Sequence, residues 1–200
     1  MSGDRKQDSP ATAASSTRSQ FAIVLVVTLV RMPLAVLFAF VLLNDDSGPI
    51  TVWSLVGLLT IIEISDGLDG FLARRWGVTS RMGAIVDPYS DSISRMTIYW
   101  ALAAAGKTLV YMPLVFAIRD VTVAYCRILW VGANRSAGAQ WSGKVKAVVQ
   151  GVGAFTLILW PTLLPGHAWI EPVMSWIVLV TTVASMADYV GKTVPLLKSA

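Results

Sequence analysis

The sequence predicts an all-α, polytopic membrane protein with six transmembrane helices and both termini in the cytoplasm. Three observations lead there. Hydrophobic residues fill 55% of the 200 positions and charged residues only 14%, with a mean hydropathy of +0.65, whereas a soluble domain carries about 25% charged residues. The apolar residues fall in six stretches, each close to the ~20 residues that a bilayer crossing needs. The connecting segments carry their basic residues almost entirely on one side, the side that stays in the cytoplasm.

Residues 1–19 (MSGDRKQDSPATAASSTRS) are polar and small and read as a disordered cytoplasmic tail, ahead of one six-helix domain over residues 20–200. The first span is expected from about Phe21 to Leu43, closed by Asn-Asp-Asp-Ser-Gly-Pro. The second runs from about Ile50 to Arg75, the third from Met82 to Ala105 and the fourth from Thr108 to Val131. The fifth covers about Ser142 to Leu164, the sixth Ile170 to Val190. In this arrangement Arg5, Lys6, Arg18, Arg74, Arg75, Arg81, Arg135, Lys144, Lys146, Lys192 and Lys198 share one face, and Lys107 alone takes the other. That asymmetry fixes the orientation. Trp53, Trp76, Trp130, Trp141 and Trp160 fall near span ends, at the headgroup level.

Composition also excludes functions. Cys126 is the only cysteine, so no intramolecular disulfide exists. His167 is the only histidine, which removes multi-histidine metal sites. The net charge of +4 belongs to the positive-inside pattern and implies no nucleic acid.

Five of the twelve acidic residues, Glu63, Asp66, Asp69, Asp87 and Asp91, lie inside spans 2 and 3. A carboxylate at mid-bilayer costs about 2.5–3.5 kcal/mol on the insertion scale, so something positive must hold them. Asp66 and Asp69 are i,i+3, Asp87 and Asp91 are i,i+4, and each pair shares a helix face. Span 2 descends and span 3 ascends, which lets the four aspartates meet at one level near the cytoplasmic side. Facing carboxylates form a cage of hard oxygen ligands suited to two Mg²⁺ or Mn²⁺ ions. Two metals so held can grip a diphosphate and stabilise in-line displacement at phosphorus. Gly67, Gly70 and Gly83 would admit phosphates close to the backbone. Ala73 keeps the same face shallow, Arg74 offers a planar fork of donors, and Thr79 and Ser80 offer hydroxyls.

The stretch Asp66-x2-Asp69-Gly70-x2-Ala73-Arg74-x8-Gly83-x3-Asp87-x3-Asp91 resembles the signature of the CDP-alcohol phosphotransferase (CDP-alcohol phosphatidyltransferase) family at every fixed position. Chance would produce eight such positions on the order of once in 10¹⁰ starts. The resemblance implies a six-helix membrane enzyme, usually a homodimer, with its site open to the cytoplasm and the chain in the cell (inner) membrane. It implies transfer of a phosphatidyl or phospho-alcohol group from a CDP-linked donor to a hydroxyl, with release of CMP. By the same likeness Asp66, Asp69, Asp87 and Asp91 bind the two metals and Asp91 is also the general base. Gly70, Arg74 and Ser80 sit at positions that contact the CDP moiety, and Thr28, Ala73 and Gly83 are assigned to that donor site with them.

Further stretches resemble one branch, the phosphatidylglycerophosphate synthases. These are Thr28-Leu29-Val30-Arg31, Arg119-Asp120 with Arg127, and Ser142-Gly143-Lys144-Val145-Lys146 with Gln150. The implied reaction moves the phosphatidyl group of CDP-diacylglycerol to glycerol 3-phosphate in phospholipid biosynthesis. Arg119, Arg127, Lys144, Lys146 and Arg31 are the expected holders of the acceptor phosphate, which is dianionic. Leu25, Ser92, Ile128 and Ala147 depart from that branch, which bears on the acceptor and leaves the metal and CDP chemistry untouched. Phosphatidylglycerol, inositol phosphate or serine are the alternative acceptors. A divalent-cation or proton pathway is the competing class. Simple pairing of Asp87 or Asp91 with Arg95, and of Asp120 with Arg119 or Arg127, is the structural alternative. Glu63 fits no signature position.

Overall fold

A computed structural model describes residues 10–44, 48–77, 83–135 and 140–198. The described residues form six helices and no strand: α1 (Pro10–Asn44), α2 (Pro49–Trp76), α3 (Gly83–Ala104), α4 (Met112–Gly132), α5 (Trp141–Leu163) and α6 (Ile170–Lys198). Local chemistry sets several ends. Pro49 opens α2 behind Gly48, where a missing N–H costs nothing. Gly77 closes α2 at φ 65°, its N–H turned back to the carbonyls of Ala73 and Arg74. α4 starts four residues later than expected because Gly106 takes φ 71° and a turn runs on to Tyr111 before Pro113 enters the first helical turn. α1 starts earlier than the apolar run, at Pro10, within the segment expected to be a tail. Pro10 sits at a favourable first position and the Ala- and Ser-containing stretch behind it is compatible with helix.

The segments Ser19–Asn44, Trp141–Leu163 and Ile170–Leu197 are long and apolar enough to cross a membrane. Large apolar side chains also point outward on the other helices, among them Ile61, Ile64, Phe71, Ile85, Trp100, Leu114 and Tyr125. An apolar exterior of this kind is what lipid rather than water solvates, and the chain is an integral membrane protein.

The helices close into a ring whose order is not that of the chain. α1 lies against both α2 and α3; α2 continues to α5, α5 to α6, α6 to α4, and α4 returns to α3. The main core runs through Phe38, Leu55, Leu59, Ile98, Leu102, Met112, Phe116, Leu157 and Val178, all buried. Tyr99 and Phe116 meet there at 4.7 Å between ring centroids. Lipid offers no hydrophobic drive between helices, so close packing must hold them. At Gly153 it is tight enough that a Cβ would lie 2.6 Å from Val178 Cγ2 and 2.7 Å from the Tyr99 hydroxyl. A smaller core of Val123, Cys126, Trp130 and Tyr189 joins α4 to α6.

Candidate active site

The acidic residues of α2 and α3 are brought together by α1, which stands between the two helices. Arg31, with a side chain 1% exposed, reaches three of them. Its Nη1 donates to Asp66 Oδ1; its Nη2 donates to Asp69 Oδ2 at 3.0 Å and to Asp87 Oδ1 at 2.7 Å. Asp69 is the buried member, at 5% side-chain exposure, while Asp66 and Asp87 are 39% and 54% exposed and open the site outward. One oxygen from each of the three carboxylates lies within 4.8 Å of the others. With the arginine included the group carries −2, the charge of one divalent counter-ion. Hard oxygen donors at this spacing, two of them accessible, fit Mg²⁺ or Mn²⁺.

A hydroxyl layer fixes α1 in place. Thr28 Oγ1 donates to Asp69 Oδ2 at 2.9 Å. The Thr28 carbonyl accepts from Arg31 Nε at 3.2 Å and from Ser90 Oγ on α3 at 2.6 Å. The Gly70 N–H adds a bond to Asp69 Oδ1 at 2.5 Å.

Asp91, the fourth expected aspartate, is held one layer away. Its Oδ1 accepts from Arg95 Nε at 3.1 Å, an i,i+4 pair on α3. Arg95 gives its two terminal nitrogens to Glu63 on α2, at 2.9 Å and 3.1 Å. The Asp91 charge still acts on Asp66 across the gap. The expected cage is therefore a triad plus a neighbour, because each helix contributes its acids at two depths and arginines occupy both.

A second charged cluster lies between α4, α5 and α6. Arg119 donates to Asp120 Oδ1 at 2.8 Å and to Ser185 Oγ at 2.8 Å. Lys146 lies 3.4 Å from the same Asp120 oxygen. Arg119 and Arg127 lie 5.5 Å and 5.7 Å from the centroid of one ring, that of Tyr189, against which Trp130 stacks at 5.3 Å. Arg119 Nε, Arg127 Nε and Asp120 Oδ2 are buried without a hydrogen-bond partner among the described residues.

The expected site residues thus separate into groups. Asp66, Asp69 and Asp87 converge, and Thr28 touches them. Arg31, expected at the acceptor phosphate, sits among these aspartates. Arg119, Arg127 and Lys146 share the second cluster, but Lys144 is exposed; two residues apart on a helix is about 200°, so the lysines face opposite ways. Arg74 folds over Gly70, where a Cβ would lie 3.3 Å from its Nη1. Ala73 and Gly83 are half-buried nearby in sequence, and Ser80 lies outside the described residues. Arg95 was expected only as an ion-pair partner of Asp87 or Asp91, and the Asp91 pair forms. Ser90, Ser185 and Tyr189 were not anticipated and carried no signal.

Residues 22–185 match the protein family described as CDP-alcohol phosphatidyltransferase. Among similar proteins is the "CDP-diacylglycerol--glycerol-3-phosphate 3-phosphatidyltransferase" of Mycoplasma genitalium, 33% identical over 127 residues, 60% of this chain and 54% of that protein. The protein of the same name from Treponema pallidum is 31% identical over 151 residues, 70% of each chain. That of Salmonella typhimurium is 28% identical over 182 residues, 86% of this chain and 94% of its own. The chain matches about half the length of the first and nearly all of the last.

Proposed function

Because the chain belongs to the CDP-alcohol phosphatidyltransferase family, we propose that it transfers the phosphatidyl group of CDP-diacylglycerol to glycerol 3-phosphate, giving phosphatidylglycerophosphate and CMP. The donor and acceptor are those in the names of its relatives. The observation that carries the proposal is the convergence of Asp66, Asp69 and Asp87 carboxylates from two helices within 4.8 Å.

Asp66, Asp69 and Asp87 would hold divalent ions, two with Asp91 at the edge. Mg²⁺ or Mn²⁺ bound there would supply charge neutralisation at the donor diphosphate. The chain's own residues do the remainder. Gly70 and Gly83 leave the backbone approachable, and Arg74, with Thr28, Ala73 and Ser80, completes the CDP side. Arg119, Arg127 and Lys146 receive the acceptor phosphate, where unpartnered guanidinium N–H groups support the assignment. The acceptor oxygen bonds to phosphorus, the bond to the CMP oxygen breaks, and the acceptor proton passes to Asp91 as general base. All six helices cross the membrane in this proposal, the site opens to the cytoplasm and the enzyme works as a homodimer.

Purified protein given labelled CDP-diacylglycerol, Mg²⁺ and, separately, glycerol 3-phosphate, phosphatidylglycerol, inositol phosphate or serine tests it. CMP release dependent on glycerol 3-phosphate and abolished by chelation is expected. Release with a different alcohol alone overturns the acceptor, and divalent-ion flux in liposomes without nucleotide overturns the reaction class.

A further inference from the structure

Glu63 belongs to no family motif, yet it holds a place in the site that no other residue fills. It lies one helical turn from Asp66 on α2, and Arg95 lies one turn from Asp91 on α3. Both Arg95 terminal nitrogens are engaged by Glu63, Nη1 to Oε1 at 2.9 Å and Nη2 to Oε2 at 3.1 Å. Asp91 receives the Nε–H on Oδ1 at 3.1 Å. Asp91 Oδ2 has no hydrogen bond among the described residues, and the Asp91 side chain is 29% exposed.

The geometry of a guanidinium makes that division consequential. Its Nε–H and the adjacent Nη–H form an edge that fits both oxygens of one carboxylate. An Arg95 free of Glu63 could turn this edge on Asp91 and tie up both oxygens. Glu63 takes one hydrogen from each terminal nitrogen and leaves the edge its donors, but its two-point grip fixes the guanidinium plane in the orientation where Nε alone meets Asp91. Room for Glu63 comes from α5: a Cβ on Gly151 would lie 3.2–3.3 Å from the Glu63 carboxylate atoms. Three helices therefore cooperate in one orientation.

We propose that Glu63 is a positioning residue: by gripping both terminal nitrogens it fixes the orientation in which Arg95 meets Asp91 at Oδ1 alone, and so keeps Asp91 Oδ2 available to take the acceptor proton. The inference rests on Asp91 being the base. In the step, the acceptor O–H bond breaks as its oxygen bonds to phosphorus, the proton goes to Asp91 Oδ2, and the electron pair of the breaking P–O bond leaves with CMP.

The test compares Glu63→Gln, Arg95→Lys, the double variant and Asp91→Asn, in the full-length protein in detergent. Steady-state kinetics are read alongside CDP-diacylglycerol binding stoichiometry and thermal unfolding. Glu63→Gln is expected to lower kcat about 10- to 100-fold, a partial loss that reaches only the lower end of the roughly 10²–10⁴-fold supplied by general-base catalysis, with donor KM and binding stoichiometry within about twofold of the parent. The double variant should be no slower than Arg95→Lys alone, since Glu63 acts only through Arg95. Losses that multiply in the double variant, or a kcat loss matched by an equal loss of donor-binding protein, overturn the positioning role. Near-normal turnover of Glu63→Gln beside an inactive Asp91→Asn does the same while sparing the base. Near-normal turnover of Asp91→Asn removes the base itself and this inference with it.

Discussion

Replacing Arg31 by methionine keeps an unbranched apolar stem and removes the charged head, leaving Asp66, Asp69 and Asp87 at −3 with no protein cation among them. Removing one partner of a buried ion pair costs about 3–5 kcal/mol. Only the Asp69 pair is buried on both sides, at 1% and 5% side-chain exposure; Asp66 and Asp87, at 39% and 54%, are partly relieved by solvent. The low end, about 3 kcal/mol, is therefore expected in the presence of chelator. At roughly 2–4 °C per kcal/mol for a chain of this size, Tm should fall by about 6–12 °C. Divalent ions should restore much of it, because a cation at 100 times its Kd contributes about 2.7 kcal/mol, and the −3 group attracts it more strongly than the −2 group of the parent. Tryptophan fluorescence during thermal unfolding, with and without Mg²⁺, measures both proteins. The Mg²⁺-induced rise in Tm must be larger for Arg31→Met. Equal rises in the two would refute the claim that Arg31 and the divalent ion neutralise the same carboxylates.

Further outcomes follow from the same geometry. Asp91→Asn is expected to abolish turnover while CDP-donor binding, measured by calorimetry, stays close to the parent. Lys146→Ala should raise the KM for glycerol 3-phosphate at least about tenfold, the scale of ~1.4 kcal/mol for a lost charged contact, and Lys144→Ala should leave it unchanged; equal effects would place both lysines in the same role. Gly153→Ala drives a methyl to 2.6 Å from Val178 Cγ2 and 2.7 Å from the Tyr99 hydroxyl, so denaturation should show a loss of about 1–3 kcal/mol. Gly77→Ala, at φ 65°, should cost about 1–2 kcal/mol by the same measurement.

Much of the fold could be read from local chemistry. Helices α2, α3 and α5 begin and end within two residues of the second, third and fifth expected segments, because Gly48-Pro49, Gly77 and the charged loops punctuate them. Shared faces were also readable: Asp66 with Asp69 at i,i+3 meet as spacing requires. What could not be read was which helix stands opposite. Periodicity says that Arg31 turns inward; it does not say that α1 separates α2 from α3 and aims that arginine at Asp66, Asp69 and Asp87. Tyr189 looked like one more aromatic in an apolar run, and only the packing of α6 on α4 puts it beneath Arg119 and Arg127. The two lysines of α5 are a different case: positions 144 and 146 cannot share a helix face, so their separation was present in the spacing all along.

The place of α1 between its two successors bears on how such a chain is made. A ribosome delivers helices in order, and α2 and α3 bring Glu63, Asp66, Asp69, Asp87 and Asp91 into an environment that resists bare charge. Each of those five acids pairs with Arg31 or Arg95, and both arginines have been synthesised by the time Ala104 emerges. The N-terminal trio can settle with each of these acids already paired while the rest is still being translated, its surplus of negative charge left for divalent ions. Asp120, by contrast, has Arg119 beside it from the outset and gains Lys146 only when α5 arrives. Pairing then follows the order of synthesis, and a substitution at Arg31 would be felt during biogenesis, before any substrate is met.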